Sequence, residues 1–167
     1  MDIKTFEEEV QKIVKLLYSI SWSMLSNNDD CADAVQEALT KAWQKRDALR
    51  SRKAFKSWMM QIQYNVCKDM LRKRKHQAYV PLEDEHTAAM VTDMRDFSLT
   101  DMLQYLSPEH RTAIVLHYVE GYRVNDIAKM TGVPVGTVKT RLLYARAHLK
   151  KTMGNDVDWA GGINYER

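Results

Sequence analysis

VEGYRVNDIAKMTGVPVGTVKTRLLYARAHLKK, residues 119–151, decides how the second half of the chain folds. Its apolar residues recur at helical spacing on both sides of one break. Before the break, residues 124–130 carry Ile127 and the small Ala128, where a second helix can cross closely. At the break stands Gly132, the residue type that takes a positive φ without steric cost. Pro134 suits the first position of the next helix, where its missing N–H costs nothing. Ile127, Val133, Val138 and Leu142 can then face inward together, leaving Lys139, Arg141, Tyr144, Arg146 and Lys150 largely on outer faces. A helix, a tight turn and a basic second helix form the arrangement that places one helix in a DNA major groove. The plainer alternative is a small helical hairpin with a solvated basic surface.

Upstream of this stretch, Ser107 and Pro108 supply an N-cap and a first-turn proline for a helix ending near Gly121. A short helix is expected over residues 98–105, which completes a four-helix unit. Periodicity fades over residues 77–96, which include Pro81 and the acidic LEDEHTAAMVTDMRD; a segment that long between helices marks a domain boundary. The first half reads as three helices. Residues 5–25 place Phe6, Val10, Ile13, Val14, Leu17, Ser21 and Met24 on one stripe, with Thr5 and Glu8 spaced as a capping box. After the break Asn27-Asn28-Asp29-Asp30, with Asp29 or Asp30 as cap, a second helix runs to about Asp47 on Val35, Ala38, Leu39, Ala42 and Trp43. A basic loop, KRDALRSRK (45–53), leads to a third helix over residues 54–76. That helix carries Phe55, Trp58, Met59, Ile62, Val66 and Leu71 on one stripe and ends in Arg72-Lys73-Arg74-Lys75. Phe55, Trp58 and Trp43 read as core. The tail, with Gly161-Gly162, is expected to be loose.

Composition agrees with an all-α chain. Glycine (6) and proline (3) are sparse among 167 residues, and 45% apolar residues suffice for a buried core. The net charge of +3 says little about partners; its local distribution says more, because basic residues cluster in a few segments. The two cysteines, Cys31 and Cys67, lie in helical patterns and cannot build a four-cysteine zinc site, so reduced, partly buried thiols are expected. The acidic N-terminal sequence has no apolar core of a signal peptide, and no run of about 18 apolar residues exists to span a membrane. His76, His86, His110, His117 and His148 form no close ligand pattern and there is no phosphate-binding glycine loop, so no catalytic site, metal or cofactor is expected.

The order of parts, with the strings DCADAVQEALTKAW, AFKSWMMQIQYNVCKDMLRKR and VPVGTVKTRLLYAR, resembles the extracytoplasmic-function (ECF) sigma factors, bacterial proteins that direct RNA polymerase to promoters. The resemblance covers residues 5–151 and implies an all-α protein of two small helical domains joined by a flexible linker. Residues 1–76 would be a region 2-like domain, 77–97 the linker, 98–151 a region 4-like helix-turn-helix domain and 152–167 a C-terminal tail. It implies that Asp33, Gln36 and Glu37, which share one helical face, dock on core RNA polymerase; many members carry an acidic residue where this chain has Ala32. The loop with Arg46, Arg50, Arg52, Lys53 and Lys56 would capture an unpaired base of the minus-ten element. Asn65, Asp69, Arg72 and Arg74 would contact the adjoining strand and duplex, with Asn65 suited to an adenine edge and the arginines to phosphates. Gly136, Thr137, Lys139, Thr140, Arg141, Tyr144 and Arg146 would bind the minus-thirty-five element, with the helix N-terminus meeting phosphate. Tyr144 stands where many members carry arginine.

The expected function is promoter recognition, DNA melting and transcription initiation at a stress- or signal-responsive regulon, in the cytoplasm, under an anti-sigma factor and without direct membrane insertion. The alternatives are a sigma-like decoy that binds an anti-sigma factor, or an ordinary helix-turn-helix regulator. Lys139, Arg141, Arg146 and the 72–75 run weigh against a decoy, and an ordinary regulator has no use for the 33/36/37 face.

Overall fold

The computed structural model describes residues 1–77 and 99–153, and among them all regular structure is helical. The order is α1 (Ile3–Leu25), α2 (Asn28–Gln44), 3₁₀ turns over Arg46–Ala48 and Arg52–Ala54, α3 (Phe55–Gln77), α4 (Leu99–Gln104), α5 (Pro108–Ile114), a wide π turn over Val115–Val119, α6 (Val124–Thr131) and α7 (Val135–Met153). Gln77 closes α3, and Thr152 and Met153 belong to α7 rather than to the linker and tail expected there; the rest of both, residues 78–97 and 154–167, falls outside the described residues.

Local chemistry sets the boundaries, in places not where the sequence pointed. α1 is capped by Asp2, whose carboxylate accepts from the Thr5 N–H at 2.8 Å, so Thr5 sits inside the helix and the expected capping box is not used. Asn27, not Asp29 or Asp30, caps α2, accepting from the Asp30 N–H at 3.0 Å. α2 stops at Gln44, short of Asp47, because the chain tightens into the first 3₁₀ turn. Ser107 caps α5 with Pro108 in its first turn, as expected. The π turn closes with the Glu120 N–H on Val115 O at 2.9 Å, and Gly121, at φ 74°, reverses the chain. Gly132 ends α6 at φ 69°, and Pro134 lies just before α7, where its carbonyl accepts the Val138 N–H at 3.2 Å. It therefore occupies the cap rather than the first helical position.

α1, α2 and α3 pack into a three-helix unit. One end is closed by aromatics: Phe6 meets Trp43 at 5.3 Å and Phe55 at 5.6 Å between ring centroids, both edge-on. Phe55 is fully core, whereas Trp43 and Trp58 are only partly covered. α5, α6 and α7 form the second unit around Ile114, Leu116, Ile127, Val138, Leu142 and Leu149, with Leu103 and Leu106 of the α4 segment. Arg111 ties α4 down: its buried guanidinium donates to Leu103 O at 2.8 Å and Leu106 O at 3.0 Å.

The two units are packed together, with α1 against α5 and the π turn, and α3 against α6. Packing within the first unit and against the second gives buried faces wider than the sequence stripes. In α1, Leu16, Ile20 and Ser23 are buried in addition to the expected set. In α3, Met60, Gln63, Tyr64 and Cys67 form a second buried face roughly a third of a turn from the Phe55/Met59/Val66 stripe. Much of the seam is polar. Ser23 and Thr112 hydroxyls lie 2.9 Å apart in the interior, Ser19 donates to Glu120 at 2.7 Å, and Arg111 also donates to Ser26.

Candidate nucleic-acid interface

The expected polymerase-docking face lies on α2. Asp33 and Gln36 are exposed and Glu37 is half-buried, while Ala34, Val35 and Ala38 hold the opposite side in the core. Glu37 pairs with Lys41 one turn on at 2.6 Å, which fixes its carboxylate on the surface. The face is thus polar, acidic and carried on a rigid helix.

The basic loop is less free than its sequence suggests. Arg46 folds its guanidinium over the Trp43 ring at 4.2 Å and donates to Trp43 O at 2.9 Å. Arg52 reaches across to α1 and pairs with Glu9 at 2.6 Å. Hydrogen bonds from Lys12 and then Arg52 hold the Glu9 carboxyl below the usual carboxylate range. Arg50 and Lys53 are exposed. Lys56 places its ammonium 4.4 Å from the centre of the Tyr122 ring, on the other unit. On α3, Asn65, Arg72 and Arg74 are exposed; Arg72 pairs with Asp69 at 3.1 Å, and Arg74 pairs with Asp30 of α2. These exposed pairs can exchange for phosphate, because surface ion pairs are worth ~0–1 kcal/mol.

α7 presents Gly136, Lys139, Thr140 and Tyr144 to solvent, with Thr137 and Arg146 partly covered. A Cβ on Gly136 would meet nothing within 4 Å, so the helix start is open to a close approach. Thr140 donates back to Gly136 O at 2.9 Å, and Arg146 to Leu142 O at 3.2 Å. Tyr144 is 60% exposed, with His110 6.5 Å from it between ring centroids. Burial and the nearby Arg141 charge hold the His110 imidazole below its ordinary pKa. Arg141 departs from the expected outward position: it is half-buried and donates to the Tyr64 hydroxyl of α3 at 3.1 Å.

The structure therefore separates the expected residues into three groups. The α2 face stands open. The α3 end and the α7 start are exposed basic surfaces. Lys56 and Arg141 lie between the units and touch the opposite one. Sequence reading missed the α3 residues that meet α6 and α7, namely Gln61, whose amide lies where a Gly132 side chain would begin, and Tyr64. A tyrosine off the apolar stripe was the available signal for a second covered face. Cys31 and Cys67 are free and buried, as expected; burial raises both thiols, Cys67 to about 11. Among the described residues no cluster of metal-ligating side chains occurs, and no helix is long and apolar enough to cross a membrane.

Residues 10–77 match the Sigma-70 region 2 family, and residues 96–149 match the family Sigma-70, region 4. The first ends with α3 and the second spans α4 to nearly the end of α7, so the two matches fall on the two packed units. The chain is 32% identical over 155 residues to the ECF RNA polymerase sigma factor SigM of Mycobacterium tuberculosis, covering 92% of this chain and 79% of that one. It is 28% identical over 169 residues to the ECF RNA polymerase sigma factor SigW of Bacillus subtilis, covering 91% and 90%. Among solved structures it superposes on the sigma factor RpoE of Bartonella quintana, in complex with the anti-sigma factor NepR, with a TM-score of 0.70 at 26% identity, covering 93% of this chain and all of that one. CnrH, in complex with the cytosolic domain of CnrY, shares the fold with a TM-score of 0.66 at 21% identity. The chain belongs to the ECF sigma factors of RNA polymerase, and its activity is promoter-specific initiation of transcription.

Proposed function

We propose that residues 1–76 dock on core RNA polymerase and open the minus-ten element, that residues 98–151 bind the minus-thirty-five element as duplex, and that residues 77–97 tether the two. Asp33, Gln36 and Glu37 make the polymerase contact, offering carboxylates and an amide to basic side chains. Arg50, Arg52 and Lys53, with Arg46 and Lys56 beside them, take the displaced strand, and extraction of a base costs a few kcal/mol that backbone contacts offset. Asn65, Asp69, Arg72 and Arg74 continue that surface along α3. Gly136, Thr137, Lys139, Thr140, Arg141, Tyr144 and Arg146 read the upstream duplex, phosphates from the helix start and base edges from its outer face. The chain carries out no bond chemistry of its own, works in the cytoplasm at a signal-responsive set of genes, and is held in check by an anti-sigma factor, the class of partner present with the Bartonella quintana relative.

The observation that carries this reading is the pairing of an exposed acidic α2 face with two separate basic helical surfaces in one chain. The test is run-off transcription with core polymerase on sheared host DNA, with and without the protein. New start sites sharing two fixed-spacing upstream blocks are expected, and Asp33→Lys with Glu37→Lys should abolish them by removing binding to the core enzyme. No new starts from an active core enzyme would overturn the reading.

A further inference from the structure

We propose that Glu9 is a positioning residue for promoter opening: from α1 it holds Arg52 and so presets the loop between α2 and α3, leaving Arg50 and Lys53 of that loop to meet the displaced strand. This rests on the functional reading above and narrows it, since Arg46 and Arg52 then brace the loop from behind.

The first turns of α1 hold both ends of the loop. Phe6 is buried and touches Trp43, before the loop, and Phe55, after it. Glu9 stands three residues on, along the same helical face. One Glu9 oxygen accepts from the Arg52 Nε at 2.8 Å, lies 2.6 Å from a terminal guanidinium nitrogen of Arg52, and accepts from the Lys12 ammonium at 2.6 Å. The Glu9 side chain is only 15% exposed, so it lies closer to the body of the unit than an ordinary surface carboxylate. At the other end, Arg46 lies over the Trp43 ring and donates to the Trp43 carbonyl. The backbone between is turned by its own bonds. Leu49 N–H donates to Arg46 O at 3.2 Å, Ala54 N–H to Ser51 O at 3.0 Å, and Lys53 N–H to the Ser51 hydroxyl at 3.3 Å.

Charge separates the bracing residues from the binding ones. Glu8 also lies 3.7 Å from the Arg52 guanidinium, so two carboxylates and two cations, Arg52 and Lys12, form a cluster of no net charge. A phosphate drawn to Arg52 would meet both carboxylates. Arg50 and Lys53 are exposed, and among the described residues neither side chain has an ion pair or a hydrogen bond. Extracting a base is already costly, and a loop that ordered itself at that moment would add its conformational entropy. A loop fixed beforehand avoids that addition.

The test is a charge exchange, read on a promoter found by the run-off experiment with the chain assembled on core polymerase. Glu9→Arg and Arg52→Glu each set like charges together and should lower permanganate reactivity of minus-ten thymines about fivefold or more. Glu9→Arg combined with Arg52→Glu restores the pair with its signs reversed and should recover most of the opening; Lys12, whose side chain is exposed, can turn away. A phosphate contact by Arg52 cannot survive that exchange, so a double variant as defective as Arg52→Glu overturns the proposal. So do single variants that open the promoter like the unaltered chain, and so does a loss of opening that follows a lowered urea midpoint, which would make Glu9 merely structural. Salt gives an independent reading. On a promoter fork whose minus-ten element is single-stranded, Arg50→Gln should reduce the log–log salt slope of binding by about 0.7, and Arg52→Gln should leave it unchanged. An equal reduction by both overturns the division of roles. Unaltered protein that binds core polymerase yet opens no promoter overturns the functional reading, and this proposal with it.

Discussion

Tyr144 and Cys67 show how far single side chains can be read. Tyr144 stands exposed on the outer face of α7, with a phenol that can contact a base edge but cannot offer the paired donors that an arginine presents to guanine. Tyr144→Arg is expected to move the base preference of one minus-thirty-five position toward guanine, with discrimination of about 1–3 kcal/mol. Selection from randomised duplexes checks this, and an unchanged preference at every position would refute it. Cys67 is buried beside Gln63 and Ser21, and burial holds its thiol at about 11 against an ordinary 9.0. Native protein should leave a thiol reagent unreacted at pH 8 and react once unfolded, since the thiolate is the reactive form. The same shift sets a stability trend. Above the ordinary thiol pKa the unfolded chain loses a proton that the folded chain keeps, so stability falls as pH rises from 9 toward 11. A Cys67→Ala variant should show a flatter alkaline limb in denaturant titrations.

At the scale of the helices, the turn between α6 and α7 is the most exacting joint. Gly132 sits at φ 69°, where an L side chain costs about 1–2 kcal/mol. Gly132→Ala should lower the unfolding free energy by that order, because the nearby Gln61 amide is a flexible end that can move aside. A loss below a few tenths of a kcal/mol in urea unfolding would show that the turn relaxes instead. This joint was legible in sequence, since glycine between two periodic segments has a conformational reason to be there. So was each helix, because apolar spacing survives small errors in its ends. The caps were less legible: Asp2 and Asn27 precede other capping residues, and the choice among neighbours depends on where the chain enters the helix. Packing between the units was not legible at all. Ser21, Ser23, Gln63, Arg111 and Thr112 belong to types usually found at the surface, yet all are buried here. Periodicity reveals that a face is covered only when the cover is apolar; Gln63 meets Ser21 42 positions away within the first unit, and Ser23 meets Thr112 89 positions away on the second.

At the scale of the whole molecule, two surfaces respond differently to salt. The cross-seam contacts are hydrogen bonds and one cation–π contact, which ionic strength screens weakly. On the proposed reading, the exposed arginines and lysines of α3 and α7 would act on phosphates through counterion release, which falls steeply with salt. Promoter affinity should therefore drop sharply between about 0.05 and 0.2 M salt while the radius of gyration of the free chain stays constant. Arg146→Gln should weaken all promoter sequences alike and reduce the log–log salt slope by about one. A free chain that expands over the same range would show that charge, and not packing, holds the units together.

On the proposed reading, Arg141 would serve both the promoter and, through its hydrogen bond to Tyr64, the contact between the units. An engineer who regrafts α7 to retarget the protein would exchange that arginine for base preference alone, and in doing so would loosen the grip of the second unit on the first.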